Sequence, residues 1–337
     1  MTQDVVTSYP PLTLDQKLAI FEGKRVLVTG GAGFVGSSLA KQLVALGAQV
    51  TVLDDLSTGR CELLPVGIKA FVQGSVTDFD TVSQCMAGAS YVFHLAVRNI
   101  ILSTSQPIAD YQVNIGGTVN VLVAARSMAQ PPRVVYTSSA SIYGNPHSLP
   151  IREDDGINIL SPYAASKLAG ESYCSAFFEM CQIPVAVVRY SNIYGPHQSP
   201  ANPYCGVIAK FFSACFEGRP MQIHGSGLQT RDYTYVDDAV NATLLAAVTP
   251  RADGEVFNVG SGCETSVREL ARQIAEAAGA PYNVQLVDRR DIDNVQRRVM
   301  SIEKARRVLR WVPNVTLDVG LGLTAQWLRA SGGSAAM

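Results

Sequence analysis

The chain has 337 residues, 47% of them apolar, and 27 Lys and Arg against 28 Asp and Glu, a net charge of −1. That length suits one large domain or two lobes sharing a cleft, with apolar residues enough for a full core. The charge balance excludes a general nucleic-acid or membrane-surface binder, and no apolar run reaches the length of a membrane span.

Residues 1–23 lack the basic start and apolar core of a signal peptide. They contain Pro10-Pro11 and a short amphipathic piece, Leu14, Leu18, Ile20 and Phe21, and read as an arm packed on the adjoining domain. Next comes Arg25-Val26-Leu27-Val28-Thr29, a strand, running into Gly30-Gly31-Ala32-Gly33-Phe34-Val35-Gly36 and an apolar-periodic helix through Leu39 and Leu43. Gly30, Gly33 and Gly36 stand at G-x-x-G-x-x-G spacing: a sharp turn, a close approach for a pyrophosphate, and tight helix–strand packing. The helix N-terminus adds unpaired N–H groups and a positive dipole end. A second strand, 49–53, ends in Asp54, whose carboxylate suits the two hydroxyls of an adenosine ribose and repels a 2′-phosphate.

Further strands are expected at 69–72, 91–94, 133–137 and 185–189, with helices at 107–128 and 162–180. Such alternation gives a doubly wound parallel sheet of Rossmann-like α/β class, with ligands at the carboxyl ends of the strands. After Tyr190 the loops lengthen and the elements shorten, as in a smaller lobe capping the cleft. A helix is expected at 234–249, and strand 256–259 returns to the main sheet. Three more helices lie near 266–278, 302–309 and 319–328. The division reads as 1–23 arm, 24–189 cofactor domain, 190–330 substrate lobe and 331–337 mobile tail.

Seven scattered cysteines, an odd number with no C-x-x-C pair, point to free thiols in a reducing cytoplasm. Four histidines without ligand spacing give no reason to expect a metal. The chemistry centres on Tyr163-Ala164-Ala165-Ser166-Lys167. Positions i and i+4 share one helix face, and an ammonium there favours a phenolate that takes a proton from a sugar or alcohol hydroxyl. Taken alone, Tyr-x-x-x-Lys is common by chance. Ser139, at a strand end 24 residues earlier, can hold the same substrate oxygen.

With the glycine turn, these residues resemble the extended short-chain dehydrogenase/reductase superfamily, in its NAD-dependent sugar-nucleotide epimerase/dehydratase branch. The resemblance runs over about residues 24–328. It is carried also by Asp54-Asp55-Leu56-Ser57-Thr58-Gly59, His94-Leu95-Ala96, Asn114-Ile115-Gly116-Gly117-Thr118 and Thr137-Ser138-Ser139-Ala140-Ser141-Ile142-Tyr143-Gly144. Arg189-Tyr190-Ser191-Asn192-Ile193-Tyr194-Gly195-Pro196 and Gln229-Thr230-Arg231-Asp232-Tyr233 complete it.

The resemblance implies Tyr163 as base, Lys167 as its partner and Ser139 as ligand of the reacting hydroxyl. It implies NAD against Gly30, Gly33, Phe34, Val35, Gly36, Asp54, Ser75, Val76, Leu95, Ala96, Asn114, Tyr163, Lys167 and Tyr190. Asn192, Arg231 and either Arg289 or Arg290, with Arg290 preferred, would bind the substrate diphosphate. Two places depart from the family pattern. Gly74-Ser75 stands where it has Gly-Asp, and Ser191 where an aromatic precedes Asn192.

Related dehydratases carry an acid pair after the catalytic hydroxyl and decarboxylases a glutamate, whereas this chain has Ala140 and Ser141. The expected reaction is therefore C4 epimerisation of a UDP-hexose, UDP-N-acetylhexosamine or UDP-uronate. Residues 202–208 also resemble a loop of hexose and N-acetylhexosamine 4-epimerases. The rivals are a dehydratase or decarboxylase using the same oxidation, and a non-catalytic NAD(P)-sensing regulator. A homodimer is implied through helices 107–128 and 162–180. Arg98, just past a strand end, is either a surface arginine or a carboxylate partner.

Overall fold

The structure, a computed structural model, describes residues 17–198, 206–289 and 295–331. Pro10-Pro11 and Leu14, residues 202–205 of the expected epimerase loop, Arg290 through Asn294, and residues 332–337 lie outside the described residues. Leu18 and Phe21 of the N-terminal piece are buried, and Phe21 meets Tyr91 edge-on, with ring centroids 4.9 Å apart.

Seven parallel strands form the central sheet: β1 (Arg25–Thr29), β2 (Gln49–Asp54), β3 (Ala70–Gln73), β4 (Tyr91–His94), β5 (Arg133–Ser139), β6 (Val185–Tyr190) and β7 (Val256–Val259). Their order is β7-β6-β5-β4-β1-β2-β3. The direction reverses between β1 and β4, and this reversal opens the crevice in which such sheets bind ligands.

Both faces are covered, so the strands are apolar at successive positions rather than alternately. Val26 and Val28 of β1 pack with Leu39 and Leu43 of α1 (Phe34–Ala45) and with α5 (Val236–Val248). Leu27, between them, faces the other layer. That layer is built by α2 (Phe79–Met86), α3 (Gly117–Arg126) and α4 (Pro162–Cys181).

Helix α4 starts where its sequence directs. The Ser161 hydroxyl accepts from the Ala164 N–H at 3.2 Å, and Pro162 occupies the first turn, where its missing N–H costs nothing. The expected helix 107–128 is not one regular helix. A short α-helix, Pro107–Asp110, passes through a π-helical turn, Tyr111–Gly116, into α3. The apolar periodicity survives that turn, which is why the sequence reads as continuous.

Three two-stranded ladders lie outside the sheet. Asn192–Tyr194 pairs with Tyr233–Tyr235 and Met221–His224 with Val284–Val287, both parallel; Thr230–Arg231 pairs with Thr265–Ser266, antiparallel. Strands of two to four residues carry too little periodicity to read from sequence. The buried Asp232 ties this region together. Its carboxylate accepts from the Ser261 N–H (2.7 Å), the Ser261 hydroxyl (2.6 Å), and the Gly262 and Met300 N–H groups (3.1 Å each). Burial raises its pKa and these donors offset part of the rise. No helix among the described residues is long and apolar enough to cross a membrane.

Candidate active site

A cleft of about 400 Å³ opens at the carboxyl ends of β1, β2, β4, β5 and β6. Gly30 turns the chain at φ +70°, where a side chain would be strained, and a Cβ there would stand 2.6 Å from the Ala96 nitrogen. A Cβ on Gly36 would overlap the Gly30 carbonyl oxygen. The first turn of α1 therefore lies against the end of β1, its N–H groups facing the cleft wall.

Asp54, at the end of β2, is 8% exposed and accepts from the Ala32 and Leu56 N–H groups, each at 2.9 Å. Burial raises its pKa, the two N–H groups work against this, and the carboxylate is held beside the glycine turn. Gly30, Gly33, Phe34, Val35, Gly36, Asp54, Val76, Leu95, Ala96, Tyr163, Lys167 and Tyr190 all line this cleft. Ser138 lines it too, and its buried hydroxyl has no hydrogen-bond partner among the described residues. Buried hydroxyls are seldom left so, and an orphan beside a cleft fits a polar ligand there.

Ser139, the last residue of β5, and Tyr163, from the first turn of α4, line the cleft together. Burial pushes the Tyr163 phenol up to about 12; the nearby Ser139 hydroxyl partly offsets this and the Asp110 charge adds to it. Lys167, one turn on, is 3% exposed and donates to the Thr137 carbonyl at 2.7 Å. Its ammonium sits 4.8 Å from the centre of the Tyr136 ring. Burial lowers Lys167 to about 8, against the pull of Asp110 and Glu171. In this state burial raises the phenol and lowers the ammonium, so the pair is less acidic and less basic than its spacing suggests.

The neighbouring His94 is locked neutral, lowered to about 3 by burial and by Lys167. Thr118 donates its hydroxyl proton to the Asn114 carbonyl at 2.6 Å, so it accepts from His94 Nε2 at 3.0 Å. Nδ1 then accepts from the Thr29 hydroxyl at 2.7 Å. This histidine braces β1 and β4 against α3.

Three expected contacts fall elsewhere, and a fourth is on a residue that is not described. The Ser75 hydroxyl is paired with Thr77 at 2.9 Å, and only its neighbours Gly74 and Val76 line the cleft. The π-turn swings the Asn114 amide onto the Arg98 backbone, accepting at 2.7 Å and donating at 3.1 Å, and onto Asp110 at 2.5 Å. Asn114 thus shapes the loop after β4. Arg231 is 8% exposed, donates to the carbonyls of Thr230 and Val295 at 2.8 Å each, and is not among the described lining residues. Arg290 lies outside the described residues. Arg189, within the expected diphosphate segment, instead forms a buried 2.7 Å ion pair with Glu171 and donates to the Tyr143 hydroxyl at 2.6 Å.

A second, smaller pocket of about 190 Å³ adjoins the cleft. It shares Asn99, Ser139, Tyr163, Tyr190 and Ser191 with it, and adds Ile100, Ala140, Ser141, Asn192 and Arg298. Arg298 escapes a sequence reading because it follows another arginine in a basic stretch, where a solvated face is the ordinary expectation. Arg98 turns out to line the cofactor cleft rather than only the surface.

A parallel sheet with a glycine-lined nucleotide cleft and a Ser–Tyr–Lys set at its edge defines an enzyme of the extended short-chain dehydrogenase/reductase class. Comparison with known proteins narrows this: residues 26–260 match the model of the "NAD dependent epimerase/dehydratase family", and the chain belongs to it. A UDP-glucose 4-epimerase of Mycolicibacterium smegmatis is 40% identical over 90% of this chain and 98% of its own. A UDP-N-acetyl-alpha-D-glucosaminuronate decarboxylase of Bacillus cytotoxicus is 33% identical, covering 91% and 98%. The solved UDP-glucose 4-epimerase of Thermotoga maritima, with UDP-glucose, superposes with a TM-score of 0.87 at 33% identity, covering 91% and 99%. The cofactor is NAD.

Proposed function

We propose that the protein is an NAD-dependent nucleotide-sugar 4-epimerase, which oxidises C4 of the sugar transiently and reduces it on the opposite face. The reading rests on Ser139, Tyr163 and Lys167 meeting at one cleft while Ala140 and Ser141, rather than acids, follow the serine. Elimination of water needs an acid near the reacting carbon and related decarboxylases carry a glutamate there, whereas the described residues lining the smaller pocket include no carboxylate. The candidate substrates are UDP-linked hexoses, N-acetylhexosamines and uronates; the similarity to UDP-glucose 4-epimerases supports the first.

The Gly30 turn, the Asp54 carboxylate and the orphan Ser138 hydroxyl fit NAD, which when bound supplies the hydride acceptor and, later in the cycle, the donor. Ser139 holds the C4 oxygen. Tyr163, as phenolate, takes its proton and later returns one. Lys167, anchored on the Thr137 carbonyl, stabilises that phenolate and the ribose next to it. Asn192, which lines the smaller pocket, holds the diphosphate. Residues 24–189 with strand 256–259 serve the cofactor, and residues 190–330 the sugar nucleotide.

Two copies pair through the faces that carry Ile108, Tyr111, Tyr173 and Met180, apolar side chains 42–73% exposed. Among the described residues six cysteines are free thiols, which suits the cytoplasm.

The test incubates the purified protein with UDP- and dTDP-sugars and separates the products by mass and chromatography. A product of unchanged mass and new retention, lost in Tyr163→Phe, is expected. Loss of water or carbon dioxide from the product would overturn the epimerase reading, and no change with any sugar would favour the regulator.

A further inference from the structure

Lys167 is one of two buried charges beside the cleft that form no ion pair among the described residues; it donates to the Thr137 carbonyl and rests on the Tyr136 ring. The other is Asp110, 3% exposed, at the end of the short helix that runs into the π-turn. Three neutral donors converge on its Oδ1: the Ser103 hydroxyl and the Asn114 amide at 2.5 Å each, and the Ser166 hydroxyl at 3.1 Å. Ser166 immediately precedes Lys167 and lies one turn after Tyr163, so this bond sets the carboxylate against the stretch of α4 that carries both. A lone buried charge is costly, and two of opposite sign on facing elements relieve one another.

The other titratable groups around the pair are neutral or already matched. Glu171, one turn beyond Lys167, is paired with Arg189 of β6 at 2.7 Å. His94 of β4 is neutral, and burial raises both the Tyr136 phenol of β5 and the Cys174 thiol of α4. The helix Ile100–Ser105 brings only the Ser103 hydroxyl to Asp110, and Tyr111, next in the chain, is exposed. That leaves Asp110 as the unmatched negative charge. Beyond the effect of burial, it favours the Lys167 ammonium and disfavours the Tyr163 phenolate. Resting on the catalytic role given to the pair above, we propose that Asp110 is a positioning residue for the reaction: as the counter-charge of Lys167 it keeps the buried lysine an ammonium and sets the pH range in which the pair works.

The first experiment follows kcat of the NAD-loaded enzyme on UDP-glucose against pH. Asp110→Asn keeps the size and the acceptor oxygen and removes the charge. Both limbs of the profile should move to lower pH by about one unit, because the phenol becomes more acidic and the ammonium easier to deprotonate, with KM little changed. Ser103→Ala, which removes one donor and leaves the charge, should keep the limbs in place. A lower kcat at every pH with both limbs at their wild-type positions would overturn the proposal.

The second needs no sugar. Urea midpoints are compared for Asp110→Asn in the wild-type and Lys167→Met backgrounds. At pH 7 the midpoint should change less favourably where the lysine is present, and the difference should vanish at pH 10, where the folded lysine is neutral. The same change in both backgrounds at pH 7, or failure to fold in both, would overturn the proposal; failure beside Lys167 alone would bear it out. If UDP-glucose is not turned over, the first experiment counts against the epimerase reading and the urea comparison still decides this one.

Discussion

The cofactor side and the sugar side of the cleft are built by different means. The cofactor side is made largely of backbone. The turn after β1, the opening of α1 and the end of β2 lie within about thirty residues, and Asp54 accepts from two backbone N–H groups. The sugar side is made of side chains delivered from four distant segments: Ser139 at the end of β5 with Ser141 just beyond it, Tyr163 on α4, Asn192 beyond β6, and Arg298. Among the later segments, the buried Asp232 carboxylate joins residues 261–262 to Met300, two residues from Arg298. A site made of local backbone tolerates change elsewhere in the chain, whereas one gathered through a clamp depends on that clamp.

The sharpest separation of the two sides should come from Tyr163→Phe. Turnover should fall by about 10²–10⁴, the usual worth of a positioned acid–base group, while NAD content per protein stays at the wild-type level. Loss of NAD in step with activity would show that the hydroxyl serves binding instead.

Next in size is Asp232→Ala, which strands several buried N–H donors. Urea titration should give a stability loss of about 3–5 kcal/mol, and the surviving folded protein should bind sugar nucleotide poorly while still binding NAD. Equal losses of both ligands would break the division between the two sides.

Asp54→Asn tests the backbone side alone. NAD affinity should drop ~10-fold and NADP should become a usable substitute, with sugar KM unaffected.

The smallest effect is a pH slope. Lys167 is lowered from its ordinary 10.5 to about 8, so its charged form penalises the fold. That penalty is fully present below pH 8. It is relieved as pH rises toward 10.5, because the unfolded chain then binds a proton that the folded one has released. The wild type should gain about 2 kcal/mol over Lys167→Met between pH 8 and 10, read from urea midpoints at the two values. Parallel stability curves for the two proteins would refute the buried-lysine account.

The same division explains what the sequence makes legible. The Gly30–Gly36 turn, Asp54 and the Tyr163–Lys167 spacing are short-range patterns, and all of them line the cleft. The seven sheet strands are readable because a parallel sheet needs apolar runs. Asn114 illustrates the limit: its motif is visible, but the π-turn that aims its amide at the Arg98 backbone leaves no periodic mark. Ser75 sits beside the cleft with its hydroxyl committed to Thr77, a rotamer choice that the sequence does not encode locally. Arg298 becomes meaningful only once Asp232 and Met300 are seen to touch, 68 residues apart.

Strand β7 has a consequence for biosynthesis. It pairs with β6 across an intervening 65 residues, and its partner's residues are almost wholly buried. A nascent chain leaving the ribosome therefore carries six strands with an apolar, unpaired margin until residue 259 has emerged. A fragment ending near residue 190 would keep every element of the nucleotide turn and still expose that margin. It would be a poor candidate for expression as a free-standing unit, and the interval before β7 docks is when the chain most needs a chaperone.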